Sequence, residues 1–389
     1  MNTDSSIRKL LVTNAKRLVI KLGTAVLMRE EKGFALSRFY SFVEAIADIK
    51  KSGRDVLLVS SGAVGLGVER LGIARGNQLL SLRQACAAIG QGRLMGLYAD
   101  AFDRLGIVAA QVLLTEEDFS NRRRFLNLRS TVGKLLELDA LPIINENDTV
   151  STAELETHEA PAYVKVNFGD NDKLSALVAS KIEADLLVIL TDVEGLFTAN
   201  PTSSSDAALI PLVREISPEI EALASNEKSN VGRGGMKTKL EAARIATQSG
   251  CAVIIASGKT PEVIKRLFSG EAIGTLFLPH TELSSKRKWI AFATSVKAAL
   301  VVNGGAKQAL IERKASLLSA GVVAVRGNFE RGDVVSILDE NDREFARGMV
   351  NYSSDEARKI SGLDSSKIDE LIENRNYDAL ITRDNLAFV

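Results

Sequence analysis

Six short apolar runs recur between residues 17 and 258, each about as long as a strand: RLVIKLG, DVLLVSSG, IVAAQVLL, ALPIIN, DLLVILTD and CAVIIASG. Apolar residues follow one another in them without polar alternation, as in strands covered on both faces. Between the runs lie segments with helical spacing, such as LSRFYSFVEAIADIKKSG, which stops at Gly53, and DKLSALVASKIEA. This alternation predicts an α/β fold with a mainly parallel sheet sandwiched by helices. After about residue 280 the pattern changes. TELSSKRKWI reads as a polar, charged hinge, and AALVVNGGAKQAL, GVVAVRGNF, GDVVSILDE and REFARGMVNY read as short strands. Turns are expected at Gly304-Gly305, Gly327-Asn328 and Asn341-Asp342, and a helix near SSDEARKISG. The expected organisation is a large domain over residues 1–280 and a small β-rich domain over 285–389.

In parallel α/β sheets ligands gather at the carboxyl ends of the strands. Those ends are polar and glycine-rich here: Lys21 to Thr24, Ser60 to Ala63, Asn145 to Asp148, Thr191-Asp192 and Ser257 to Lys259. Any one of them could be an ordinary turn or helix cap. Several together point to a site. Lys21, followed by Gly23, can face a phosphate, and SSGAV at Ser60 to Val64 suits an anion-binding helix start. A second cationic, glycine-rich element is VGRGGMKTKLEAARIA, with a helix expected from about Met236. Lys237 and Lys239 would then lie near its first turn, where the helix dipole disfavours a cation by about 0.3–1 kcal/mol. An anionic ligand would offset that placement. GxxxxGK[ST], GxGxxG after a strand, and HRD are all absent. NEND (145–148) and GDND (169–172) repeat each other imperfectly, and by themselves could be a metal site, a substrate clamp or two helix caps.

Composition narrows the chemistry. Lys+Arg and Asp+Glu are both 49, so charge offers no whole-chain argument for nucleic acid or an anionic membrane. No apolar run reaches the ~20 residues that span a bilayer. Cys86 and Cys251 sit among small apolar residues and read as buried free thiols of a cytoplasmic protein. With only His158 and His280, a histidine zinc site or a Ser-His-Asp triad has almost nothing to be built from.

Taken in order, VIKLGTAVL, VLLVSSGAVGLG, FLNLRSTV, PIINENDTV, FGDNDKLSALVA, LLVILTDVEGLFTANP and GRGGMKTKLEAARIA resemble the glutamate 5-kinase branch of the amino-acid kinase family. The last hundred or so residues resemble the PUA domain carried by many bacterial members. The resemblance implies ATP-dependent phosphorylation of the side-chain carboxylate of L-glutamate, the first step of proline biosynthesis. It makes Lys21 and Lys239 the cations that neutralise the phosphoryl group and Asp172 the carboxylate that orients them. Ser61, Asp148 and Asn171 fall at glutamate-binding positions, with Asn145 a further contact and Gly62 and Ala63 offering backbone N–H groups. Thr191, Asp192 and the run Arg233, Gly234, Gly235, Met236, Lys237, Thr238 and Lys239 fall at ATP-binding positions, as does Lys21. Mg2+ would be held mainly by ATP phosphates, with no protein metal site. The resemblance also implies a homo-oligomer and feedback inhibition by proline near Glu116 to Arg129, where Arg122 to Arg124 otherwise read as a solvated helix start.

Two features depart from the family pattern: a longer stretch between Glu154 and Phe168, containing His158, and Asn167 where a basic residue is frequent. Two alternatives stay open. One is a different acceptor within the amino-acid kinases, against which INEND and GDND speak. The other is RNA binding through the PUA-like domain, disfavoured because residues 281–389 carry 16 Lys+Arg and 16 Asp+Glu.

Overall fold

The computed structural model describes residues 3–29, 33–73, 79–150, 171–201, 203–225, 235–280, 290, 296, 298–313, 315–363 and 379–389. The chain divides into two compact units. The first takes the described residues of Met1–Thr115, Leu128–Glu154 and Asn167–Glu282; the second takes Glu116–Asn127 and the described residues of Leu283–Val389.

The first unit is built on eight strands: β1 (Arg17–Leu22), β2 (Asp55–Ser60), β3 (Ala109–Leu114), β4 (Leu141–Glu146), β5 (Leu186–Thr191), β6 (Leu212–Val213), β7 (Ala252–Ser257) and β8 (Thr275–Phe277). Their order in the sheet is β3-β4-β2-β1-β5-β7-β8-β6, with β1 interior. Every pairing is parallel except β7 with β8. The six strand-length runs of the sequence all became strands. β6 and β8 were not anticipated, because two and three residues are too short to set up a period.

Alternation along β1 decides what the site can use. Leu18, Ile20 and Leu22 join the core packed against helices Leu36–Lys51 and Leu80–Asp103. Lys21 has the opposite parity and belongs to the face on which helix Asn171–Lys181 packs against β1, β2, β4 and β5. That helix buries Leu174, Leu177 and Val178, so its first turn is fixed over the strand ends. Register brings those ends together, with Leu22 opposite Ser60 on one side and Leu190 on the other. Thr191 in turn lies opposite Ser257.

The second unit holds a five-stranded sheet from β9 (Ala299–Val302), β10 (Val322–Arg326), β11 (Val334–Leu338), β12 (Glu344–Met349) and β13 (Leu386–Phe388), in the order β10-β9-β11-β12-β13. β9 and β11 are parallel and the other pairs antiparallel. The turn expected at Gly304-Gly305 is instead the start of helix Gly304–Arg313. Asn303 explains the difference, since its Oδ1 accepts from the Ala306 N–H at 2.8 Å, the bond of a helix cap. The helix near SSDEARKISG spans Ser354–Ile360 and opens with a capping box between Ser353 and Glu356. Among the described residues no helix is long and apolar enough to cross a membrane.

Candidate active site

Asp172 stands in the first turn of helix Asn171–Lys181 and is fully buried. Its Oδ1 is 2.6 Å from the Lys21 Nζ and its Oδ2 is 3.1 Å from the Lys239 Nζ. Both lysine side chains are themselves about 5% exposed. A buried carboxylate is costly unless paired and hydrogen-bonded. Here one carboxylate spans two ammonium groups. The Thr238 hydroxyl also lies 3.4 Å from Asp172 Oδ2 and bonds the Gly235 carbonyl at 2.9 Å. Lys239 sits four residues into helix Met236–Gln248, where the positive end of the dipole disfavours it. Asp172 offsets that within the protein, so the placement holds without a ligand.

The residue before Asp172 faces a different set of partners. Asn171 donates from Nδ2 to the Ser61 Oγ at 2.8 Å and the Asn145 Oδ1 at 2.9 Å, with the Ser60 carbonyl at 3.4 Å. Both amide hydrogens are therefore engaged inside the protein. Asn171, expected at a glutamate-binding position, organises Ser61 in this arrangement. Ser61, accepting from Asn171, keeps its own O–H to donate. Gly62 follows at φ 104°, a left-handed conformation that turns the chain from the strand end into helix Ala63–Leu71. The N–H groups of that first helical turn are the ones a helix leaves without intrahelical partners.

The remaining expected positions divide in three. Thr191 and Asp192 close β5, joined by a hydrogen bond of 3.0 Å between their side chains. The Gly258 N–H donates to the Thr191 carbonyl at 2.7 Å and the Gly23 N–H to the Leu190 carbonyl at 3.1 Å, tying this end to β7 and β1. Asp148 lies in the turn directly after β4, three residues past Asn145. Of the glycine-rich loop, Gly235 precedes its helix, Met236 is buried and Lys237 exposed. Arg233 and Gly234 lie outside the described residues, as do Gly169, Asp170, His158, Asn167 and the stretch between Glu154 and Phe168. Arg124 pairs with Glu117 at 3.1 Å and Asp118 at 3.6 Å, and all three are at least partly exposed.

Residues 16–257 match the amino acid kinase family, and residues 298–372 match the PUA domain. The chain is 44% identical to the glutamate 5-kinase of Syntrophus aciditrophicus, over 98% of this chain and 96% of that one. It is 46% identical to the glutamate 5-kinase of Trichlorobacter lovleyi, over 98% and 99%. For the glutamate 5-kinase of Chromohalobacter salexigens the figure is 44%, over the full length of both. The chain belongs to the glutamate 5-kinases of the amino acid kinase family. It is a phosphotransferase, with ATP as the co-substrate of a kinase. Phosphoryl transfer needs alignment and compensation of charge more than a base.

Sequence reasoning about this kinase site missed two residues of helix Leu80–Asp103. Gln91 accepts from the Asn145 Nδ2 at 2.8 Å, and the Tyr98 hydroxyl lies 2.8 Å from the Ser60 Oγ. They are seven residues apart, two turns along one stripe of the helix. Burial pushes the Tyr98 phenol above its usual range. The faint signal in sequence was the glycine before Gln91. A Cβ at Gly90 would lie 1.7 Å from the Ala63 carbonyl oxygen, and one at Gly67 would lie 1.9 Å from that of Cys86. These glycines let helices Ala63–Leu71 and Leu80–Asp103 touch backbone to backbone directly behind the donor wall.

Proposed function

We propose that this protein transfers the γ-phosphoryl group of ATP to the side-chain carboxylate of L-glutamate, forming L-glutamyl 5-phosphate, the first step of proline biosynthesis in the cytoplasm. The observation that carries this reading is the buried Lys21–Asp172–Lys239 cluster, next in the chain to the donor group of Ser61, Asn145 and Asn171. The nucleophile is a carboxylate, ionised at neutral pH because a free Glu titrates near ~4.3, so no general base is required. What the reaction needs is charge compensation. The two ammonium groups, held apart by one carboxylate, would receive the equatorial oxygens of the phosphoryl group during in-line transfer. Their charge is desolvated before substrate arrives, which strengthens its action on a developing anion.

Recognition of the amino acid falls to the neutral side. The Ser61 hydroxyl and the N–H groups of Gly62 and Ala63 would donate to carboxylate, and Asp148 would receive the substrate ammonium. Thr191, Asp192 and the segment from Arg233 to Lys239 would hold the nucleotide. The donor set suits magnesium that arrives with ATP: both Asp172 oxygens face ammonium groups, leaving phosphate oxygens and water as its main ligands. Bound there, magnesium supplies further neutralisation of phosphate charge.

The test is ADP release measured with L-glutamate, N-acetylglutamate, aspartate and UMP as acceptors, with hydroxylamine added to trap an acyl phosphate. We expect release dependent on L-glutamate and a hydroxamate product. Activity confined to one of the other acceptors would overturn the substrate and leave the kinase class standing.

A further inference from the structure

The hydrogen bonds behind the donor wall form a directed chain. The Asn171 Nδ2 donates to the Asn145 Oδ1 at 2.9 Å, while the Ser60 carbonyl, which can only accept, lies farther away at 3.4 Å. Asn145 must therefore turn its own Nδ2 the other way, and Gln91 Oε1 receives it at 2.8 Å. Asn145 is 4% exposed, so an amide hydrogen without that acceptor would have little water to turn to. At the other end, Asn171 donates to Ser61 and leaves the Ser61 proton free. If Asn145 and Asn171 both flipped, Ser61 would donate to Asn171 and turn lone pairs toward an incoming carboxylate.

We infer that Gln91 is a positioning residue for the acceptor substrate: its Oε1 locks the amide orientation of Asn145, and through Asn171 it keeps the Ser61 hydroxyl a donor to a substrate carboxylate. This rests on the reading of Ser61 as a carboxylate contact. Gln91 is well suited to the task because Gly90 beside it abuts the Ala63 backbone, which holds this turn of helix Leu80–Asp103 at a set distance from the substrate side. The same helix reaches Ser60 through Tyr98, so one rigid element supports two adjacent strand ends.

The effect should fall on the acceptor alone. The experiment measures kcat and the KM of both substrates for the full-length wild type, Gln91→Met, Asn145→Ala and the double variant. Met keeps the length of Gln and removes the acceptor. We expect Gln91→Met to raise the glutamate KM roughly five- to tenfold, the scale of one neutral hydrogen bond, with kcat and the ATP KM within about twofold. In the Asn145→Ala background the same substitution should add nothing, because its effect passes through Asn145. An unchanged glutamate KM would overturn the inference, as would a fall in kcat alone or an equal rise in both backgrounds. Should Gln91→Met fail to accumulate folded, Gln91→Asn withdraws the acceptor by one methylene and gives the same comparison. A wild type that phosphorylates a different carboxylate would overturn the substrate reading, and the KM of that acceptor then tests Gln91.

Discussion

Two neighbours on one helix turn, Asn171 and Asp172, face two environments of opposite character. Asp172 joins Lys21 and Lys239 in an ionic cluster, and none of these three side chains is more than about 5% exposed. Asn171 joins a neutral chain running from Ser61 to Gln91, only part of which is buried. The ionic side has strength and little directionality, since ammonium groups attract any anion at the right distance. The neutral side has the reverse: each bond is worth about 1 kcal/mol, yet every donor and acceptor is specified. Helix Asn171–Lys181 thus divides charge compensation from recognition at a single peptide bond.

The sharpest way to break that division is to remove one cation. Lys21→Ala and Lys239→Ala should each lower kcat by on the order of 100- to 1,000-fold, as for loss of one preorganised transition-state donor. The glutamate KM should move far less, and steady-state kinetics in both substrates separates the two. If either variant instead raised the glutamate KM at wild-type kcat, the ionic cluster would be a binding element and the contrast would fail.

A smaller effect, on stability as well as on activity, is expected behind the neutral side. Gly90→Ala would set a Cβ 1.7 Å from the Ala63 carbonyl oxygen, so the two helices must part. Overpacking costs about 1–3 kcal/mol. The thermal unfolding midpoint should fall by several degrees, and the glutamate KM should rise because Gln91 and Ala63 are both displaced. A variant as stable as wild type would mean that the crossing is looser than its glycines imply.

How much of this was legible beforehand follows from where the information lies. Strands buried on both faces leave continuous apolar runs, so the sheet could be read directly, and polar residues that interrupt those runs marked the strand ends. Lys21 was visible for that reason. The parity that turns it toward Asp172 also follows from β geometry, once helix Asn171–Lys181 is known to cover that face. Gln91 and Tyr98 were not legible, because a polar group in a helix of mixed exposure looks solvated until its neighbour is known. Gly304-Gly305 misled because glycines favour turns. The competing cap from Asn303 becomes visible only when the chain that follows is helical.

The finest test of the contrast asks whether all support behind the neutral side is equivalent. Tyr98 and Gln91 come from one stripe of one helix, but they meet the site differently. The Ser60 hydroxyl has one proton, and it donates to the Ser61 carbonyl at 3.1 Å; its contact with Tyr98 is then one in which Tyr98 donates. Ser60 contributes its backbone carbonyl to Asn171, and that carbonyl's direction is set by β2 rather than by the side chain. Tyr98→Phe should therefore leave the orientation of Asn171 intact. The ring stays packed against Phe39 at 4.9 Å between centroids, and only one buried hydrogen bond is lost. The expected cost is about 1 kcal/mol, seen as a small drop in the unfolding midpoint, with the glutamate KM within about twofold of wild type. A rise in that KM as large as for Gln91→Met would mean that the hydroxyl network, and not the amide chain alone, sets the polarity of Ser61.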